Sequence, residues 1–369
     1  MMEKTATYEV EITGYGAGGE GVGRLPDGRA VFVPRAARGD VLALRLREEK
    51  ARSARGEIDR ILAPSPWRIE GDCPLYPRCG GCDFRHITYE EELQAKLKRV
   101  NDALARIGGL PAVADEILTT GQTAGYRNKA VLHTDGISRG FYAAQSRVVI
   151  PVDRCLLLKE DINSALKDLP QPPRKGEITL RSGRNGLHPP LEEELDGLVF
   201  RISGFFQVNT GAALLLYQKA REYAAMPGDG TLIDLYCGVG SLTLFVGRDA
   251  GRGIGVEQNP GAVVAARENA RRNGLSHIEF YAINVEKWES TIKEPHCVVV
   301  DPPRKGLSPG ALRLVLSMSP KRIVYVSCDP ATFARDLRLL TGYEIKALCA
   351  VDMFPRTANV ECCCLLVKK

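Results

Sequence analysis

The chain has 369 residues, 44% of them hydrophobic and 26% charged, with a net charge of +5 and eleven cysteines. That length suffices for two or three buried cores, and with no run of about 18 apolar residues or leader-like start the sequence predicts a cytoplasmic protein that neither crosses a membrane nor is secreted. The charge permits nucleic-acid binding without requiring it, and eleven cysteines in such a chain point to metal ligation, catalysis or buried thiols before disulfides.

Five short strands are predicted near 7–15, 20–25, 30–34, 41–49 and 53–62, the count for a small OB-like barrel over residues 1–62. Between Arg35 and Arg60 eight Lys or Arg stand against five acids. That composition suits either a phosphate-tracking surface or a solvated face of mixed charge. Pro64-Ser65-Pro66 marks a linker into a middle α+β domain, 63–204. There Thr88 and Glu91 form a capping-box signature ahead of Leu93, Leu97, Val100, Leu104 and Ile107, which predicts a helix ending at Gly108-Gly109. Strands follow near 127–134, 139–144, 147–152, 177–182 and 197–202, with a surface loop at Pro170-Gln171-Pro172-Pro173.

Cys73, Cys79 and Cys82 are spaced C-x5-C-x2-C, with Cys155 the best fourth ligand. Four-thiolate zinc generally uses two C-x2-C pairs, whereas one pair, a longer gap and a distant fourth cysteine fit an iron–sulfur pattern better. Cys237, Cys297 and Cys349 are expected to be buried, and the Cys362-Cys363-Cys364 run to alternate within the last strand, none of them with a role.

From 205 to 369 strands near 231–236, 253–257, 278–282, 297–301 and 322–326 alternate with helices, then two strands, 343–351 and 361–367, close the chain. This predicts a doubly wound parallel sheet with an antiparallel hairpin at its edge. Leu232 to Thr243 read as a strand, a glycine turn with Gly238 and Gly240, and a helix start. Thr243 where a dinucleotide fingerprint has its third glycine, and Asp234 before the turn, favour S-adenosylmethionine over NAD. Glu257, 17 residues past Gly240, is placed to accept bonds from both ribose hydroxyls, and Asn284 to meet the adenine edge. Asp301-Pro302-Pro303-Arg304 lacks the aromatic of amino-group methyltransferases and the Pro-Cys of RNA cytosine methyltransferases; Arg304 is suited to orient a base or a phosphate, or to form a strand-end salt bridge.

Ser327-Cys328-Asp329-Pro330 follows the fifth strand, 33 residues before Glu361. Carbon 5 of uracil is too weak a nucleophile to take a methyl group directly, so a thiolate must first add to carbon 6. A base must then remove the proton from carbon 5 before elimination. Cys328 is the candidate nucleophile and Glu361 the candidate base. Taken singly, each reads better as a buried small thiol and an ordinary strand-end carboxylate; their surroundings turn the reading to catalysis.

With SCDPATFARD at 327–336, DMFPRTANVE at 352–361, FFQVN at 205–209, DLYCGVGSLTL at 234–244, DPPRKG at 301–306 and the four cysteines, the chain resembles the RNA uracil-5-methyltransferase family of the RlmD and TrmA type. The resemblance implies a Rossmann-like α/β methyltransferase domain behind an N-terminal TRAM barrel and a middle iron–sulfur domain. It implies a 4Fe-4S cluster on Cys73, Cys79, Cys82 and Cys155. It further implies S-adenosylmethionine contacts from Gln207, Tyr236, Ser241, Glu257, Asn284 and Asp301, with Cys328 as nucleophile and Glu361 as base. A TRAM barrel with an iron–sulfur domain is more like the ribosomal RNA branch, so a monomeric 23S rRNA uridine methyltransferase is the first expectation. The same chemistry on tRNA, a non-catalytic RNA-binding assembly factor and an iron–sulfur redox protein are the alternatives. Many members carry His where this chain has Asn359, and the middle domain is short for the RNA-binding branch.

Overall fold

The computed structural model describes residues 7–111, 113–170 and 174–369. The first six residues, and Gln171, Pro172 and Pro173 of the expected surface loop, lie outside it.

Strands Thr7–Tyr15, Gly21–Arg24, Ala30–Val33, Val41–Glu49 and Ser53–Ala63 close into a barrel in the order first, second, third, fifth, fourth. Alternation does the folding: Val10 and Ile12, Val31 and Val33, Leu42 and Leu44 point inward at every second position and form one core.

The helix Tyr89–Ala103 starts where the sequence places it, with Thr88 Oγ1 accepting from the Glu91 amide. The reciprocal half of the capping box is not made. Glu91 instead receives both arms of Arg38, at 2.8 and 2.6 Å, and so ties the helix to the barrel. The helix loosens into a wider turn over Leu104–Gly108 and ends on Gly109 in the left-handed region, φ 61°.

The middle of the chain forms a four-stranded antiparallel sheet, Lys175–Arg181, Lys129–Asp135, Arg139–Tyr142 and Val149–Pro151 in spatial order, beside a hairpin of Glu192–Leu195 and Leu198–Arg201. Helix Glu160–Asp168 carries no clear signal in the sequence. Its nine residues include only Ile162 and Leu166 as large buried apolar side chains, too few to show a 3.6-residue period.

The C-terminal sheet has eight strands in the order Ile278–Ala282, Arg252–Glu257, Thr231–Leu235, Cys297–Val300, Arg322–Ser327, Glu361–Lys368, Tyr343–Val351 and Ile117–Leu118. The first five are parallel and Glu361–Lys368 is antiparallel to both neighbours. The closing hairpin is therefore not the edge: the two-residue strand Ile117–Leu118, too short to signal itself, pairs in parallel with Ala350 and Val351 outside it. Consecutive cysteines alternate faces, Cys363 in one core and Cys362 and Cys364 in the other.

Helix Tyr89–Ala103 packs on this sheet through Val100 and Ala103 and carries an ion triad with no solvent exposure. Lys96 Nζ donates to Glu92 Oε1 (2.7 Å), Asp352 Oδ1 (2.6 Å) and the Phe354 carbonyl (3.1 Å). Replacing Lys96 by Met strands two buried carboxylates, so a loss of about 3–5 kcal/mol is expected in urea unfolding. A loss under about 1 kcal/mol would show that the triad is dispensable.

Candidate active site

Register places the site. Leu235 pairs with Val256 on one side and Val300 on the other, so the next residues, Tyr236, Glu257 and Asp301, stand level at the carboxyl ends of three adjacent strands. Ligands of open parallel sheets bind at this edge. Tyr236, Gly238 and Gly240 all have positive φ (72°, 54° and 79°), which folds the turn back over the strand ends. At Gly240 a Cβ would come within 2.9 Å of Phe280 and 3.0 Å of Ala266, so only glycine fits. The Thr243 hydroxyl donates to Asp234 Oδ2 (2.5 Å), locking helix Ser241–Gly247 to its strand. Burial pushes the Asp234 carboxyl up to about 8.

Glu257 Oε2 accepts from the Gly238 amide (3.2 Å) and Oε1 from the Asn259 amide (2.8 Å), leaving each oxygen a lone pair for a ligand hydroxyl. Asn284 is exposed two residues beyond the end of strand Ile278–Ala282; its Oδ1 accepts from the Glu286 amide and its Nδ2 donates to Gln258 Oε1 (3.3 Å). Gln207 is buried, its carbonyl accepting from Asn128 Nδ2 (3.1 Å). Ser241 opens the helix, its Oγ 2.9 Å from the hydroxyl of Tyr217. Tyr217 is a member of this site that sequence reasoning missed; it lies on helix Thr210–Ala224, directly after FFQVN.

The second half of the site comes from the antiparallel strand. Ser327 pairs with Cys362, so Cys328 lies directly across from Glu361. Asp329 caps helix Pro330–Leu339 by accepting from the Thr332 amide (2.8 Å), which holds Cys328 in the strand-to-helix turn. Burial, then Glu361 and Asp301, push the Cys328 thiol up to about 11. Burial, then Asp301, push the Glu361 carboxyl up to about 8, and burial takes Asp301 to about 7. Arg304 is exposed and forms no ion pair among the described residues, and its charge works against the rise at both Cys328 and Glu361. Its turn is built on Gly306, φ 76°, where a Cβ would strike Asp336; Asp336 in turn accepts from Tyr325 Oη (2.7 Å) and the Leu307 amide (2.6 Å).

Cys73, Cys79, Cys82 and Cys155 line one cavity of about 190 Å³, with Tyr76, Arg85 and Leu157. Asn163 holds the Cys155 loop, its Oδ1 accepting from the Cys155 amide (2.9 Å) and its Nδ2 donating to the Cys155 carbonyl (3.0 Å). Arg85 Nε donates to Cys82 Sγ at 3.3 Å. Among the described residues no three such ligands converge on the position of a single metal ion.

On the barrel, most of the basic stretch is already paired: Arg45 with Asp59, Arg47 with Glu57, Lys50 and Arg55 with Glu48. The mixed-charge reading fits that stretch better than a bare phosphate track.

Comparison with known proteins agrees with this layout. The family described as "tRNA (Uracil-5-)-methyltransferase" matches residues 293–369, and "TRAM domain" matches 3–58. A protein of Halalkalibacterium halodurans named an uncharacterized RNA methyltransferase is 31% identical over 456 aligned positions, covering 100% of this chain and 98% of its own. One of Nostoc sp., named likewise, is 34% identical over 97% of this chain and 96% of its own. The crystal structure of Pyrococcus abyssi tRNA (uracil-54, C5)-methyltransferase in complex with S-adenosyl-L-homocysteine is 25% identical, with a TM-score of 0.78 over 97% of this chain and 100% of that one.

Proposed function

The chain belongs to the RNA uracil-5-methyltransferase family, and we propose that it methylates carbon 5 of a uridine in structured RNA through a covalent bond from Cys328 to carbon 6. The observation that carries this reading is the strand register that sets Cys328 across from Glu361 beside the Tyr236, Glu257 and Asp301 row.

Cys328 releases its thiol proton to solvent and adds to carbon 6, and the electron pair moves to carbon 5 and oxygen 4 as an enolate. Carbon 5 takes the methyl group. Glu361 takes the proton from carbon 5, and the returning electron pair expels Cys328. A carboxyl held near 8 is a stronger base than an ordinary carboxylate and accepts that proton through its ionised fraction. S-adenosylmethionine, when bound, supplies the electrophilic methyl group; Gln207, Tyr236, Gly238, Gly240, Ser241, Glu257, Asn284 and Asp301 would hold it. Two charge-assisted hydrogen bonds at Glu257 are each worth about 1.5–3 kcal/mol. Glu257→Ala is therefore expected to weaken S-adenosylmethionine binding by at least about tenfold in calorimetric titration, and unchanged binding would remove Glu257 from the site.

For Cys73, Cys79, Cys82 and Cys155 we propose a 4Fe-4S cluster. Four thiols that line one cavity suit a cluster in which each thiolate binds a separate iron.

Ribosomal RNA in the cytoplasm is the substrate that the barrel-plus-cysteine plan first suggests. One observation favours tRNA: the structure matched over 97% of this chain is titled a tRNA enzyme, so the overall fold does not by itself select ribosomal RNA. The Halalkalibacterium alignment of 456 positions also exceeds the 369 residues here, so that relative carries segments this compact chain lacks. Incubation with methyl-labelled S-adenosylmethionine and unmodified 23S rRNA or tRNA, followed by nucleoside mass spectrometry, separates the two. Label in 5-methyluridine from one RNA names the substrate, and label in any other nucleoside overturns the proposed chemistry.

A further inference from the structure

The loop that leads into Glu361 is held by the segment that carries the cysteines. Cys82 lines the four-thiol cavity and Asp83 follows it directly. The Asp83 and Phe84 amides both donate to the Arg356 carbonyl, at 2.9 and 3.2 Å. Asp83 Oδ2 accepts from the Ala358 amide at 2.8 Å. On the cavity side Tyr76, itself in the cavity wall, donates its hydroxyl to the Asp83 carbonyl at 2.7 Å. Asp83 is therefore bonded through its amide, carbonyl and carboxylate, one contact to the cavity wall and two to the loop.

Alternative supports for this stretch are few. Residues 352–354 are fixed by the Lys96 triad and Asn209, Tyr126 Oη donates to the Pro355 carbonyl at 2.9 Å, and Arg356 donates its amide to Glu92 Oε1 at 2.6 Å and its guanidinium to the Ile87 carbonyl at 3.2 Å. Past Arg356, the chain is anchored from outside by Asp83 and by Arg99, which donates to the Ala358 carbonyl at 2.6 Å. Among the described residues Asn359 bonds only within the loop, to Thr357. Glu361 stands three residues beyond Ala358, at the first residue of its strand.

We propose that Asp83 is a positioning residue for Glu361, and that through it the order of the four-cysteine cavity sets the order of the active-site loop. This rests on the reading of Glu361 as the base. It assigns the cysteine cavity a role that needs no electron transfer: what holds Cys82 in place also orders the Ala358 end of the loop, while Glu92 and Ile87 hold Arg356 from the helix side.

The consequence is specific to one step. Cys328 sits on a different strand and helix cap, so its addition to carbon 6 is not affected, whereas proton removal by Glu361 is. Asp83→Ala is expected to lower turnover about ten- to a hundredfold, as for a misplaced catalytic group. It should accumulate the methylated covalent RNA adduct on denaturing gels, with S-adenosylmethionine affinity and iron and sulfide content at wild-type levels. Asp83→Asn keeps a side-chain oxygen that accepts from the Ala358 amide and should restore turnover and clear the adduct.

Hydrogen exchange gives a readout independent of activity. The 356–361 amides should exchange faster in Asp83→Ala, and also in wild-type protein stripped of metal by a chelator, while the Tyr236–Ser241 turn stays protected. Wild-type exchange at 356–361 in both samples would overturn the proposal even if 5-methyluridine is made. Loss of S-adenosylmethionine binding in Asp83→Asn would likewise overturn it, by showing that Asp83 supports the whole fold. If the wild-type protein makes no 5-methyluridine, the reading of Glu361 fails, and the exchange experiment still decides the coupling on its own.

Discussion

Cys328→Ala is expected to abolish methyl transfer to RNA while leaving S-adenosylmethionine binding unchanged. Without a thiolate at carbon 6 there is no enolate, and carbon 5 has too little electron density to attack a methyl donor. The residual rate should fall below wild type by at least about 10⁴-fold, the order seen when a covalent nucleophile is removed. Binding is separable because Glu257 stands on another strand and Tyr236 and Gly240 in the turn after a third, held by contacts that do not pass through Cys328. Cys328→Ser should also be inactive, since an alkoxide cannot form at a site where burial, then Glu361 and Asp301, already push a thiol up to about 11. Single-turnover assays with labelled donor, paired with calorimetric titration of the same samples, check both halves. Methyl transfer by the alanine variant at more than about a hundredth of the wild-type rate would remove Cys328 as nucleophile.

Glu361→Gln should stop the reaction one step later. Addition and methyl transfer proceed, the proton stays on carbon 5, and the enzyme remains bonded to methylated RNA, visible as a denaturation-resistant band carrying label. The pH dependence has a definite sign. Burial and Asp301 raise the Glu361 carboxyl from the usual 4.5 to about 8. The unprotonated base is therefore scarce at neutral pH, and release should climb about tenfold per unit up to about pH 8, then level off.

The same shift links to stability in the opposite sense from an ordinary salt-bridged carboxylate. The folded state binds the proton more tightly than the unfolded one, so Glu361 favours the fold fully below about 4.5, and this contribution is lost as pH rises to about 8. Glu361→Gln should therefore be more stable than wild type by roughly 2–4 kcal/mol at pH 9, and by much less at pH 5, in urea unfolding. A flat difference between the two pH values would mean that Glu361 is not buried in the way described.

Much of this arrangement is written in local sequence, because the relevant signals act over a few residues. Alternation at Val10, Ile12, Val31 and Val33 gives the barrel, and the glycine turn at 238–240 gives the ligand edge of the sheet. Cys328 and Glu361 are legible through the reaction they suit, but their adjacency depends on Glu361–Lys368 inserting beside Arg322–Ser327, a long-range pairing that no local pattern encodes. For the same reason the sequence misplaces the sheet edge, since Ile117–Leu118 joins from far upstream of the strand it borders. Glu91 shows the limit of a short motif: its spacing from Thr88 is that of a capping box, yet Arg38, 53 residues away, offers its carboxylate a bidentate ion pair instead. The Lys96 triad and Asp83 leave no readable trace either, because a buried charge looks like a surface one until its partners are folded around it.

The most direct test is to trap the bond that the mechanism requires. RNA transcribed with 5-fluorouridine carries no abstractable hydrogen on carbon 5, so methyl transfer should leave the enzyme joined to it, and digestion with mass spectrometry should find the nucleotide and its new methyl group on the peptide containing Cys328. An adduct on any other residue, or turnover of natural RNA with no adduct formed from the fluorinated one, would contradict covalent catalysis by Cys328.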